Sequence, residues 1–109
     1  MYMESNILLE SGTNELELLE FFVGGKDYGI NIAKVSEIMA YRKITPLPSA
    51  PEEIEGLFMP RDKIITVVDL HKVLGIPMPE ESSTLLIVCE FNGLDIAFHV
   101  SSVKGIQRI

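Results

Sequence analysis

Leu85-Leu86-Ile87-Val88-Cys89-Glu90-Phe91-Asn92-Gly93-Leu94-Asp95-Ile96-Ala97-Phe98-His99-Val100 reads as a β-hairpin. Asn and Gly tolerate the positive φ that both central residues of a type I′ turn require, and that turn matches the twist of the strands it joins. A two-residue loop at Asn92-Gly93 sets Phe91 across from Leu94, Cys89 from Ile96, Ile87 from Phe98 and Leu85 from Val100, and every one of these is apolar. The other face is mixed. Glu90 opposes Asp95 there, a mild repulsion, but Leu86, Val88 and Ala97 are apolar and call for partial cover. Residues 102–109 predict one more strand, with Val103, Ile106 and Ile109 as its apolar positions.

Upstream, Ile64-Ile65-Thr66-Val67-Val68 is β-branched throughout and predicts a strand covered on both faces. Asp69 to Leu74 predicts a helical turn closed by Gly75, and residues 77–83 a loop. Pro46, Pro48, Pro51 and Pro60 break regular structure between them. Pro51 followed by Glu52, Glu53 and Glu55 predicts a short helix start, with acids placed well for the helix dipole. Residues 32–36 predict one helical turn, followed by a strand through Tyr41. Residues 16–32 predict a hairpin about Gly24-Gly25. Its apolar phase changes at Leu18-Leu19, which implies a bulge or a strand that begins at Leu19. The first dozen residues predict a helical turn capped by Ser5 or Asn6, built on Ile7, Leu8 and Leu9 and ended by Gly12. A piece that short must dock to be stable. Short strands punctuated by Gly and Pro indicate an all-β barrel or sandwich.

The chain has 109 residues, 47% apolar and 23% charged, which is room for one domain of ordinary globular composition. Its formal net charge of -7 repels phosphate backbones and anionic membrane surfaces, arguing against nucleic-acid binding and membrane attachment. The lone Cys89 sits in an apolar run and reads as a packed small hydrophobe, consistent with a reducing compartment. Residues 1–9 lack a basic region and carry Glu4, unlike a signal peptide. The longest strongly apolar stretch, residues 85–89, is far short of the ~20 residues of a membrane helix. A soluble cytoplasmic protein without membrane insertion is expected.

Catalytic motifs are missing: there is no G-x-S-x-G, P-loop, G-x-G-x-x-G, C-x-x-C or H-E-x-x-H. Asp69-Leu70-His71 is the one carboxylate–histidine pair at short spacing, and residues two apart on a helix do not face each other. A metal site or small enzyme built on Asp69 and His71 needs further ligands, for which His99 and Glu90 are the candidates. The ordinary structural roles are Asp69 as a cap, His71 as a solvated or half-buried side chain, and His99 as a surface or interface residue. Glu52, Glu53 and Glu55 read as a solvated helix start. No enzyme, metal or cofactor is expected. Arg61, between Pro60 and Asp62 and just after Leu57-Phe58-Met59, stands out among the charges. Its guanidinium can fork onto a partner carboxylate while its stem packs on apolar surface. The competing reading is a weak local pair with Asp62 or a nearby Glu.

Several phrases, taken in order, resemble the CheW-like domain of bacterial chemotaxis. They are Ile7-Leu8-Leu9-Glu10-Ser11-Gly12-Thr13-Asn14-Glu15-Leu16-Glu17, Tyr28-Gly29-Ile30-Asn31-Ile32-Ala33-Lys34-Val35-Ser36-Glu37-Ile38, and Arg61-Asp62-Lys63-Ile64-Ile65-Thr66-Val67-Val68-Asp69-Leu70. The first of these, with Glu90-Phe91-Asn92 and Phe98-His99-Val100-Ser101-Ser102-Val103, resembles the N-terminal domain of the CheV branch. The resemblance implies an all-β fold of SH3-like five-stranded barrels with short helical turns. It implies a non-catalytic scaffold that couples chemoreceptor cytoplasmic tips to the regulatory domain of the histidine kinase CheA. It also implies partner-binding roles for Val35, Glu37 and Ile38 of a V-x-E-I phrase, and for Gly56 and Arg61 of a G-x-x-x-x-R element. Asp62 stands where the family usually has glycine, which puts an acid beside Arg61 at the receptor contact.

Against the family pattern, residues 1–109 are expected to hold the first barrel and part of an incomplete second one. The closing strands and the CheV receiver domain are expected to be absent. A hairpin apolar on both faces without its closing strands predicts self-association through exposed strand edges. The alternative function is a small β-barrel nucleic-acid binder, which requires a basic face interleaved with aromatics.

Overall fold

The computed structural model describes residues 17–79 and 83–108. The helical turn expected around Ile7, the middle of the loop after Pro77 and the terminal Ile109 lie outside the described residues. In chain order the elements are β1 (Glu17–Val23), β2 (Lys26–Asn31), a 3-10 turn (Ile32–Lys34), β3 (Val35–Ala40), β4 (Ile54–Phe58), β5 (Ile65–Asp69), α1 (Leu70–Leu74), β6 (Leu85–Phe91), β7 (Leu94–Val100) and β8 (Ser102–Arg108). They form a three-stranded sheet, β2-β1-β8, and a five-stranded sheet, β3-β6-β7-β5-β4. The all-β expectation holds.

The hairpin forms in the register that its turn dictates, with Leu85 across from Val100 and Phe91 from Leu94. Asn92 has φ 51° and Gly93 φ 84°, both positive as a type I′ turn requires. Glu90 does face Asp95. Lys63 Nζ lies 3.7 Å from Asp95 Oδ2 and offsets part of the repulsion.

Both faces of β6 are buried, and each belongs to a different core. Leu86 and Val88 join Ile44, Ile65, Val67 and Ala97 inside the five-stranded barrel. Ile87 and Cys89 join Leu19, Phe21, Val23, Ile30, Leu70 and Val100 between the two sheets. The face that reads as mixed in sequence is therefore the barrel interior. The face that reads as uniformly apolar is the inter-sheet seam, and its end runs out to Leu94, which is 66% exposed. Each fully buried Leu, Ile or Phe contributes roughly 1.5–3 kcal/mol, so β6 anchors both cores at once.

The five-stranded sheet closes on itself through the chain that follows β3. Thr45 N–H donates to Leu57 O at 2.9 Å, and Leu57 N–H donates to Thr45 O at 2.8 Å. That contact brings the chain leaving β3, one end strand, against β4, the other, and closes the sheet as a barrel. Gly56 permits it. A Cβ at Gly56 would lie 2.1 Å from the Thr45 carbonyl oxygen, and its φ of +152° suits glycine alone. β5 runs parallel to β7, with α1 and β6 supplying the crossover that parallel pairing needs.

Three local expectations are corrected. Pro51-Glu52-Glu53 starts no helix. Ile54 N–H closes a single turn onto Pro51 O at 2.9 Å, and pairing of Ile54 with Val68 then draws the chain into β4. The strand predicted at Ile64 begins at Ile65, and its second face is only half-covered at Thr66 and Val68. The irregularity in β1 is not at Leu18-Leu19. β1 pairs with β2 without a break from Leu18 to Val23, and the bulge lies against β8 between Glu20 and Phe21, where Lys104 is the extra residue.

Candidate docking surface and a buried polar cluster

The residues singled out at the sequence level fall into two groups. Val35, Glu37 and Ile38 lie on β3, an end strand of the five-stranded sheet. A bulge between Val35 and Glu37 shifts their pairing with β6. Val35 is half-buried against the inter-sheet core, Glu37 is exposed, and Ile38 is 41% exposed. Arg61 and Asp62 lie in the turn between β4 and β5, and both are exposed. Arg61 has φ 60°, a left-handed conformation that puts a non-glycine residue at the apex of the turn. Among the described residues neither Arg61 nor Asp62 has an ion-pair partner, and no hydrogen bond joins Glu37 to Arg61. Met59, 65% exposed, and Ile64, 61% exposed, flank the arginine. An uncommitted guanidinium thus stands between two exposed apolar side chains. Gly56 differs from the rest: it is buried within β4, and its immediate task is to admit the Thr45 backbone.

The histidines are where sequence reasoning failed. His71 is 1% exposed and His99 is fully buried, so neither is a surface residue. Asp69 ends β5 and caps α1, and the cap carries its carboxylate to His71: Oδ1 accepts from His71 N–H at 2.9 Å and lies 3.2 Å from Nδ1. The helical rule about residues two apart does not apply, because Asp69 itself is extended (φ -86°, ψ 100°). His71 Nε2 lies 2.8 Å from Ser101 Oγ, which also accepts from Gly24 N–H at 2.9 Å. One side chain therefore ties α1 to the β1–β2 turn and to the junction of β7 and β8. His99 Nδ1 meets Glu55 Oε1 at 2.8 Å, and Nε2 meets Thr84 Oγ1 at 2.7 Å. The Tyr41 hydroxyl donates to Glu55 Oε2. The Tyr41 ring stacks on His99 at 4.2 Å between centroids, and the His71 ring lies edge-on to His99 at 5.7 Å.

Electrostatics follow from this packing. Burial alone would raise the Glu55 pKa, but hydrogen bonds from His99 and Tyr41 outweigh it and hold the carboxyl below its usual range. Burial lowers the His71 pKa against the opposing pull of Asp69. Burial likewise pushes the Cys89 thiol up to about 11, which leaves it un-ionised and unreactive near neutrality. Glu55, Tyr41, Thr84 and Ser101 were not foreseen as partners of the histidines. The available signal was Ile54-Glu55-Gly56 read as a strand, which points Glu55 to one side of β4.

Residues 17–109 match the family model of the CheW-like domain. The chain belongs to this family. This CheW-like domain is 35% identical over 106 residues to the chemotaxis protein CheV3 of Helicobacter pylori, an alignment covering 88% of the chain and 34% of CheV3. It is 30% identical over 101 residues to the chemotaxis protein CheW of Thermotoga maritima, covering 93% of the chain and 67% of that protein. Its fold matches the crystal structure of the scaffolding protein TtCheW from Thermoanaerobacter tengcongensis with a TM-score of 0.80 and 32% identity, over 86% of this chain and 65% of that one. The domain thus spans about a third of CheV3 and about two thirds of these two CheW proteins. No helix among the described residues is long and apolar enough to cross a membrane.

Proposed function

We propose that this CheW-like domain is a non-catalytic adaptor of cytoplasmic chemotaxis signalling, holding chemoreceptor cytoplasmic tips to the regulatory domain of the kinase CheA. Membership of the family over residues 17–109 is the observation that carries the reading. The exposed turn at Arg61 supports a contact surface there. A guanidinium without an internal partner, flanked by Met59 and Ile64, suits the acidic and apolar stripe of a helical partner. Arg61 orients the contact, Asp62 moderates its charge, and Val35, Glu37 and Ile38 contribute a second contact along β3. Gly56 acts indirectly, by holding β4 in the position that presents the turn. A nucleic-acid role finds no support in the relatives and is opposed by the net charge of -7.

The test is co-sedimentation with receptor arrays and CheA. Arg61→Glu should reduce receptor capture at least tenfold, with the circular dichroism spectrum unchanged. Undiminished capture removes Arg61 from the contact.

The same domain self-associates in this reading. Among the described residues β2 and β8 are the edge strands of the three-stranded sheet. β8 carries Ile106, 57% exposed, on that edge strand. An unpaired edge with apolar side chains is a template for pairing with another strand.

A further inference from the structure

The residues proposed for docking do not include the polar cluster inside the barrel. Glu55 on β4, Asp69 at the end of β5 and His99 on β7 each offer a ligand atom, and these atoms lie within 4.8 Å of one another. Asp69 is 5% exposed, and the His99 and Glu55 side chains are 0% and 19% exposed. Two carboxylates are thus drawn inward: Glu55 meets the His99 ring and the Tyr41 hydroxyl, and Asp69 meets the backbone N–H and the ring of His71. Desolvation of two carboxylates at one buried point favours a cation there.

We propose that Glu55, Asp69 and His99 bind a divalent transition-metal ion of the Zn²⁺ class. One imidazole and two carboxylates form a mixed nitrogen and oxygen donor set that suits Zn²⁺ and disfavours Ca²⁺. The outer contacts that orient metal ligands are already made. Thr84 holds Nε2 of His99, Tyr41 holds Oε2 of Glu55, and His71 holds Oδ1 of Asp69. The ion takes the place of the proton between His99 Nδ1 and Glu55 Oε1. That proton is accounted for by the tautomer with N–H at Nε2, which then donates to Thr84 Oγ1. Zn–N and Zn–O bonds of about 2.0–2.2 Å set ligand atoms roughly 3.3 Å apart in a tetrahedron, so His99 Nδ1 and Glu55 Oε1 open from 2.8 Å while the other spacings, all within 4.8 Å, adjust to the same value.

The experiment titrates the chelator-treated chain with ZnCl₂ by calorimetry and with CoCl₂ by visible absorption, and records thermal melts with and without zinc. Expected are one equivalent of zinc at micromolar affinity or tighter, a d–d absorption band with Co²⁺ that zinc displaces, and a raised melting temperature. Glu55→Gln and His99→Gln should each weaken binding at least tenfold, and Arg61→Glu should leave it unchanged. Glu55→Gln keeps the size and most hydrogen bonds of the glutamate, so its folded state is checked by circular dichroism. A wild-type melting temperature unmoved by about a 100-fold excess of zinc overturns the proposal. Binding that persists undiminished in folded Glu55→Gln overturns it equally, by placing the ion elsewhere.

Discussion

Gly56 shows a barrel closed by a missing side chain. The Thr45 carbonyl oxygen occupies the space where a Cβ would stand, so alanine there adds a backbone clash to an unfavourable φ. Gly56→Ala should lower stability by roughly 2–3 kcal/mol, read as a lower urea midpoint at unchanged slope. An unchanged midpoint would mean that the Thr45–Leu57 contact does not hold the barrel shut. The residue was legible in sequence as part of G-x-x-x-x-R. Its reason was not, because the atom that forbids a side chain comes from eleven positions upstream. His71 and His99 carry the same lesson in reverse. Each looks ordinary among its sequence neighbours, and burial comes from Ser101 and Glu55, 30 and 44 positions away.

At the scale of elements, α1 is too short to hold itself, so its ends decide its fate. Asp69 caps one end, and Gly75, with φ 70°, closes the other. Both were readable, since capping is local chemistry. What seats the helix against the sheets is the Ser101 hydroxyl, shared between His71 Nε2 and Gly24 N–H. Ser101→Ala leaves a buried ring nitrogen and a backbone donor without this partner. A loss of about 2 kcal/mol is expected by chemical denaturation, together with faster amide exchange at Gly24. Wild-type stability in that variant would show that apolar packing of Leu70 alone seats the helix. The failed helix at Pro51 belongs to this scale too. Its acids satisfied a local rule, but pairing of Ile54 and Leu57 with Val68 and Thr66 was the stronger demand, and sequence does not display a partner strand.

At the scale of the whole molecule, two sheets packed side by side give principal extents of 43 × 31 × 22 Å and a Cα radius of gyration of 14.1 Å, against roughly 13 Å for a compact chain of this length. Among the described residues β2 and β8 end the three-stranded sheet, and the net charge of -7 opposes the meeting of two such edges. Light scattering should therefore find association that increases with protein concentration and strengthens as salt screens the repulsion. A chain that stays monomeric at every concentration and ionic strength eliminates edge pairing.

Local chemistry in the sequence determined most of the strands, both hairpin turns, the α1 caps and the register of β6 against β7, because each of these follows from dihedral preferences and side-chain alternation over a few residues. Family membership was legible for the same reason, in short phrases kept in order. Tertiary structure alone decided which face of β6 fills the barrel, why Gly56 carries no side chain, and that two histidines, two carboxylates, a tyrosine, a threonine and a serine meet inside. Those outcomes depend on which distant strands become neighbours, and the burial and electrostatics of a side chain are properties of its neighbours in space.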